Sequence, residues 1–167
     1  MAAVDYMDPA AVPGFSAPLT MDDMRRSHEV YNGLPHIETR YKEEIDRDAV
    51  HGLLGIILRH GLGHLVGVYN LHRHDPLPTD TVRIEKDIGH LLAGARMTPP
   101  VPLDRVDLGN THALTYHVEG NKLVPFEFGE GQHLVPAGVI TADFMDEFTT
   151  FVAQRELVEV FAVEVEE

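Results

Sequence analysis

Two histidines near the end of an apolar segment are the first candidates for chemistry in this chain. His72 and His74 end residues 67–74, whose composition predicts a β-strand. Alternate residues of a strand point to the same side, so we expect the two imidazoles to lie side by side. Such a pair can ligate a metal ion or transfer protons. The segment therefore predicts a functional site, while its substrate stays open.

A carboxylate within an apolar stretch is the second candidate. Glu127 lies in Val-Pro-Phe-Glu-Phe, residues 124–128. An uncompensated charge is costly to bury in such surroundings. We expect Glu127 to lie either on a solvated sheet face or in a site that raises its pKa or holds a metal.

The pairing of the strand that contains Glu127 decides which side chains accompany it. We predict a hairpin of residues 110–118 and 122–128 joined by a three-residue loop, because this register places the apolar rows on one face. Tyr116 then lies in the apolar row, whereas His117 shares the face of Glu127.

The motifs around these candidates resemble those of one group of proteins. The Leu-His-Arg-His segment with both histidines, the Pro-Phe-Glu-Phe segment and a closing Phe-rich helix with an apolar strand are similar to small microbial proteins without an assigned activity. The resemblance covers residues 64–165 and implies that His72, His74 and Glu127 belong together. In that group Phe usually follows the second histidine and a tryptophan occurs later, whereas this chain has Asp75 and no tryptophan.

Three functions are compatible with these residues. The first is a small metal-dependent oxygenase, hydrolase or lyase, in which His72, His74 and Glu127 hold iron, manganese or zinc with His117 nearby. In the second, no metal takes part: His72 or His74 removes a proton and Glu127 or Tyr116 returns it, as in a lyase, isomerase or cyclase. The third is a non-catalytic module that binds a metal or a partner.

Composition narrows the possible partners. The 27 acidic and 13 basic residues give a formal net charge of -14, which disfavours nucleic acid and anionic membrane surfaces. The absence of cysteine excludes thiolate chemistry and disulfides. No apolar run approaches the roughly 18 residues of a membrane span, and the N-terminus does not resemble a secretion signal. We expect a cytoplasmic protein with a small-molecule substrate; the oligomeric state and the roles of His60, His64 and His112 stay open.

The order of the predicted elements indicates an α+β fold. We expect a flexible arm over residues 1–19, which contain three prolines and no clear period, followed by a single domain over residues 20–167. Two main helices, over residues 40–60 and after Thr141, should pack on one mixed, mostly antiparallel sheet.

Local signals predict the remaining elements. Thr20 and Asp23 form a capping-box pattern before a short helix, and a glycine follows His60 at the predicted end of the longer one. We predict a central strand over residues 65–74, covered on both faces. A strand over 81–85, a short helix over 88–95 and a final strand over 157–165 complete the set.

Overall fold

The computed structural model describes residues 8, 10–91 and 93–166, and the fold is stated for these residues alone. The helices are α1 (Met21–Gly33), α2 (Ile37–Tyr41), α3 (Arg47–Arg59) and α4 (Ala142–Gln154). The strands are β1 (Val66–Asn70), β2 (Thr81–Asp87), β3 (Arg96–Met97), β4 (Pro100–Pro102), β5 (Thr111–Glu119), β6 (Lys122–Glu130) and β7 (Phe161–Val165). This arrangement confirms the predicted α+β class.

The strands form one mixed sheet in the order β1-β7-β5-β6-β2-β3, with β4 also paired to β2. The pairing is antiparallel except between β2 and β6, which run parallel. Aromatic side chains from β6 and α4 lie at the centre of the core, where Phe126, Phe128 and Phe148 are fully buried. The parallel pair is the feature that matters for the site, because it joins strands that are distant in the sequence.

The predicted helix caps are confirmed. Thr20 and Asp23 make the reciprocal capping box of α1, and the Thr141 side chain accepts a hydrogen bond from the backbone amide of Phe144 at the start of α4. Helix α3 ends at His60, and Gly61 takes the left-handed conformation with a φ of 70°. These signals involve residues close together in the sequence, so the caps form independently of how the rest of the chain packs.

The helix predicted over residues 40–60 is divided. Residues 42–46 separate α2 from α3, and Asp46 begins α3 by accepting a hydrogen bond from the backbone amide of Ala49. A new N-cap of this kind starts a helix independently of what precedes it. The apolar stripe of α3 then packs inward through Ala49, Leu53, Ile56 and Ile57.

The strand predicted over residues 65–74 is shorter and differently placed. β1 ends at Asn70, and it lies at the end of the sheet, paired with β7 alone, instead of at its centre. His72 and His74 therefore follow the strand and are not on it. Arg73 instead forms an isolated bridge with His36, which turns the chain away from the sheet.

The register of the β5–β6 hairpin also differs from the prediction. Val118 pairs with Leu123, so the turn has two residues, Gly120 and Asn121. A β-bulge near Thr115 shifts the pairing along β5. Since most of β5 is buried on both faces, the burial of one apolar row could not distinguish the two registers.

Two further predicted elements are corrected. In the described part of residues 88–95 the chain forms turns and no helix. The final strand begins at Phe161 instead of residue 157, because a turn closed by the Val160 amide and the Leu157 carbonyl precedes it.

The N-terminal segment packs against the core in the part that is described. Val12, Phe15 and Leu19 are each buried, and Gly14 exchanges backbone contacts with Ala113 of β5. The flexible arm over residues 1–19 stays a prediction, although the burial of these side chains favours a docked segment over residues 10–19, because apolar side chains without a regular period can still be buried. Residues 1–7 and 9 of the predicted arm lie outside the described residues.

Within the described residues, no helix has both the length and the apolar character needed to cross a membrane.

Candidate functional site

The parallel pairing of β2 with β6 places Arg83 opposite Glu127. Arg83 Nε lies 3.3 Å from Glu127 Oε2, and both side chains are 16% exposed. A second contact holds the guanidinium in place, because its NH1 donates to the hydroxyl of Tyr31 at 2.7 Å. Tyr31 belongs to α1 and is fully buried, so the helix fixes the position of the cation.

Burial is the main influence on Glu127 and raises the pKa of its carboxyl group. Arg83 and His72 oppose this rise through their charges, and the hydroxyls of Thr115 and Tyr69 oppose it by hydrogen bonding. Thr115 pairs with Glu127 across the hairpin, and its hydroxyl lies 3.5 Å from Oε1. Glu127 is thus a mostly buried carboxylate with one cation and two hydroxyls around it. Such surroundings favour proton transfer.

Tyr69, the residue before the end of β1, joins Glu127 to His72. Its hydroxyl interacts with the carboxyl group of Glu127 and lies 3.4 Å from His72 Nε2. The two rings are stacked, with centroids 5.3 Å apart and planes 20° from parallel. Burial, and then the charge of Glu127, raise the pKa of Tyr69, so the phenol keeps its proton at neutral pH.

The tautomer of His72 follows from its backbone contact. Nδ1 lies 2.8 Å from the carbonyl oxygen of Asn70, which can only accept a hydrogen bond. In the neutral ring Nδ1 therefore carries the hydrogen, and Nε2 presents its lone pair to the Tyr69 hydroxyl. The phenol has a single hydrogen, which it can donate either to this lone pair or to the carboxylate of Glu127.

His74 lies beside His72 but is exposed. The two imidazoles meet edge to face, with centroids 5.3 Å apart. Partial burial, followed by the charges of His72 and Arg83, lowers the pKa of His74. The backbone amide of His74 donates to the Tyr31 hydroxyl at 3.1 Å, which connects this loop to the same helix that fixes Arg83.

A small cleft of about 320 Å³ opens over Glu127 and Tyr69. Its other lining residues are Glu85, Thr98, Leu114, Thr115, Glu164 and Val165. His72 and His74 do not line this cleft, so the histidine pair and Glu127 do not share one cavity. His72 reaches the cleft indirectly, through Tyr69.

A larger cleft of about 670 Å³ adjoins the small one, since Glu85 and Val165 line both. Its walls combine apolar side chains with carboxylates and two imidazoles. The lining residues are Phe15, Leu65, Glu85, Asp87, Arg96, His112, Gly129, Glu130, Gly131, His133, Val135, Val165 and Glu166. His112 is buried, and its Nδ1 lies 2.8 Å from the Gly131 carbonyl oxygen.

Two predicted site residues lie elsewhere. Tyr116 is buried, and its hydroxyl donates to the carbonyl of Pro13 at 2.9 Å, so it fastens the N-terminal segment to β5. His117 lies between Glu119 and Glu159, 3.8 Å and 3.6 Å from their nearest carboxylate oxygens. Neither residue lines either cleft, because the bulge in β5 separates the Thr115 position from the strand beyond it.

The predicted metal ligands are His72, His74 and Glu127. The part of the chain that the structure describes contains no group of three His, Asp or Glu side chains arranged to hold a metal ion. Both ring nitrogens of His72 face other groups, and Glu127 faces the Arg83 guanidinium. A metal at this position would have to displace those contacts, so the two-histidine-one-carboxylate centre stays a prediction that the present arrangement does not fit.

Sequence reasoning missed Tyr69, Arg83 and Thr115 as members of the site. Tyr69 precedes His72 by three residues, and a polar ring beside a candidate histidine was the available signal. No local signal identified Arg83, because only the pairing of two distant strands brings it to Glu127. His60, the C-cap residue of α3, has a structural role. Its Nε2 lies 2.7 Å from Glu147 Oε2.

Comparison with known proteins finds no match to any family model, curated protein or solved structure.

Proposed function

We propose that this protein is a lyase or isomerase that moves a proton on a small organic carbonyl compound, with Glu127 as base and Tyr69 as hydrogen-bond donor. One observation carries the proposal: the carboxyl group of Glu127 and the phenol of Tyr69 line the same small cleft. A base and a donor that face one cavity can act on a single bound molecule.

Glu127 has the properties of a general base. Its raised pKa makes the carboxylate a stronger proton acceptor than an exposed glutamate, and Arg83 keeps the ionised form accessible. In the proposed step Glu127 removes a proton from the carbon next to the carbonyl group, and the electron pair moves to the carbonyl oxygen. Return of that proton to another carbon gives an isomer, whereas departure of a leaving group from the next carbon gives an unsaturated product.

Tyr69 has the properties of a donor to the developing enolate oxygen. Because its pKa is raised, the phenol keeps its proton, and in the proposed step its single hydrogen turns from His72 Nε2 or Glu127 to the enolate oxygen. His72 acts as a positioning residue, since it stacks on the Tyr69 ring and faces its hydroxyl. In this proposal the histidines have a positioning role, and the carboxylate of Glu127 transfers the proton.

The test follows hydrogen exchange instead of a named reaction. The protein is incubated in deuterium oxide with uncharged ketones, amino ketones, 1,3-diketones and 2-oxo acids, and proton NMR measures loss of the signal next to the carbonyl group. We expect exchange of at least one class, and a reduction by roughly 100-fold or more in Glu127→Gln and Tyr69→Phe. Glu44→Gln and Tyr41→Phe are matched controls, because both residues are exposed and line neither cleft.

Two results would contradict the proposal. Exchange that persists at the parental rate in Glu127→Gln would remove the base from its role. Exchange that appears only after addition of iron, manganese or zinc, and disappears with a chelator, would favour the metal-dependent enzyme. The His72→Gln variant separates positioning from direct chemistry: a positioning role predicts partial loss of rate with an unchanged pH profile.

A further inference from the structure

We infer that the large cleft binds the non-reacting part of the substrate, and that this part is apolar and carries no negative charge. The inference rests on the proposed function and extends it to a substrate class. It starts from the shared walls of the two clefts: Glu85 and Val165 line both, so a molecule whose carbonyl group reaches Glu127 and Tyr69 continues into the larger space.

The size of the large cleft agrees with a small organic molecule. About 670 Å³ lies within the range of roughly 300 to 1,000 Å³ that is typical of ligand sites. Four apolar side chains provide contact surface for a ring or a short hydrocarbon: Phe15, Leu65, Val135 and Val165. Phe15 is buried beneath this surface, so the site also depends on the docked N-terminal segment.

The strand β6 widens the cleft because it carries glycine where a side chain would intrude. A Cβ atom on Gly129 would lie 2.8 Å from two ring atoms of His112. The absence of that atom lets the imidazole lie flat against the strand. The Nδ1 contact with the Gly131 carbonyl then holds the ring as part of the cleft wall. The wall is thus preformed, which lowers the entropy cost of binding.

The charge of the walls selects against anions. Asp87, Glu130 and Glu166 line the large cleft, and Glu85 lines both clefts, so among the described lining residues of the large cleft four carboxylates face one guanidinium, that of Arg96. Two of the carboxylates are compensated by ion pairs, Glu85 with Arg96 and Glu130 with Lys86. Among the described residues no lysine or arginine pairs with Glu166. Burial, and then the charge of Glu166, raise the pKa of neighbouring Glu164. A bound carboxylate or phosphate would meet this field at short range and be repelled.

The test uses three probes that share one hydrocarbon part: 4-phenylbutylamine, 4-phenylbutanol and 4-phenylbutyrate. Binding to Glu127→Gln protein at pH 7.5 is measured by ¹H–¹⁵N NMR, so that no chemistry is required. We expect shifts at Gly129, Gly131 and Val135, and an amine that binds at least about tenfold more tightly than the carboxylate at low salt. The ratio should decrease in 0.5 M salt, because the field is screened.

Paired variants locate the effect. Glu166→Gln should reduce the ratio of amine to carboxylate affinity, while Glu44→Gln leaves it unchanged. Val135→Trp should weaken the binding of all three probes, whereas Leu134→Trp, at the adjacent exposed position, should not. If Val135→Trp fails to fold, the Glu166 comparison alone decides the question.

Failure of the inference is distinguishable from failure of the proposed function. A carboxylate that binds as tightly as the amine, or probes that leave Gly129 and Val135 unperturbed, would overturn the inference. Fast exchange of 2-oxo acids with slow exchange of uncharged ketones would overturn it while the proposed function stands. Probe binding in the expected order without any exchange would retain the binding site and remove the proposed function.

Discussion

Arg83 Nε lies 3.3 Å from Glu127 Oε2, and the two residues pair directly across the parallel strands β2 and β6. With 16% of each side chain exposed, water screens this contact less than it would a surface ion pair. Burial is the largest influence and raises the pKa of Glu127, and Arg83 is the strongest of the groups that lower it. The protonation of the proposed base is therefore sensitive to this guanidinium.

Replacing Arg83 tests this dependence. In Arg83→Gln we expect the pKa of Glu127 to rise further, because burial then acts with less opposition. Carbon-13 NMR of the labelled glutamate carboxyl groups measures the titration. Arg25→Gln is the control, since Arg25 pairs with Asp22 on the exposed side of α1 and does not contact Glu127. An unchanged or lower pKa in Arg83→Gln would show that the guanidinium does not stabilise the carboxylate.

The raised pKa of Glu127 also predicts how stability depends on pH. A carboxyl group whose pKa is higher in the folded state binds more protons there than in the unfolded chain. Its contribution to stability is therefore complete below the unfolded pKa, and is lost as pH rises through the folded pKa. We expect Glu127→Gln to remove this part of the decrease in stability with rising pH. Urea unfolding of both proteins from pH 4 to pH 8 would measure the difference. Parallel stability curves over that range would contradict the raised pKa.

The N-terminal segment should contribute to stability. Phe15 is buried in the core and lines the large cleft, so Phe15→Ala should cost about 3–5 kcal/mol of unfolding free energy. Leu58→Ala is the control, because Leu58 is 67% exposed on α3 and should change stability by less than about 0.5 kcal/mol. Denaturant unfolding measures both. Equal values for the two variants would mean that the segment is not docked in solution.

Two buried histidines should respond differently to the same substitution. Both ring nitrogens of His117 lack a hydrogen-bond partner, so His117→Leu should be neutral or stabilising. His112 bonds to the Gly131 carbonyl, and His112→Leu should cost roughly 1–3 kcal/mol because that carbonyl loses its partner. Thermal unfolding at pH 8 compares the two proteins. Strong destabilisation by His117→Leu would indicate that the contacts of its ring with the Glu119 and Glu159 carboxylates, at 3.8 Å and 3.6 Å, stabilise the fold.

The features that could be predicted from sequence are those whose partners are near in the chain. The Thr20 and Asp23 capping box, the Thr141 cap and the glycine after His60 each involve a single turn of backbone. The presence of strands in the regions of β2, β5 and β6 was predictable for a similar reason, since composition and alternation act over a few residues. The raised pKa of Glu127 could also be anticipated, because a carboxylate among apolar neighbours loses its hydration.

The set of residues that forms the site depends on contacts between distant parts of the chain, and local sequence patterns do not specify such contacts. Glu127 was paired with His72 and His74 on the expectation that both histidines ended a strand, yet β1 stops at Asn70. The bulge near Thr115 determined that Thr115, and neither Tyr116 nor His117, faces the carboxylate. Arg83 became part of the site through a parallel pairing, which no turn sequence specifies.

The parallel pairing also orders the events of folding. The β5–β6 hairpin joins neighbouring strands through a two-residue turn, so its loop-closure entropy is small. β2 can pair with β6 only after the long intervening chain has been organised, and contacts of this separation form slowly. A chain that has formed the hairpin alone has a Glu127 with no guanidinium beside it. Partly folded molecules without this pairing therefore lack the site, and chemical competence begins only once β2 has docked on β6.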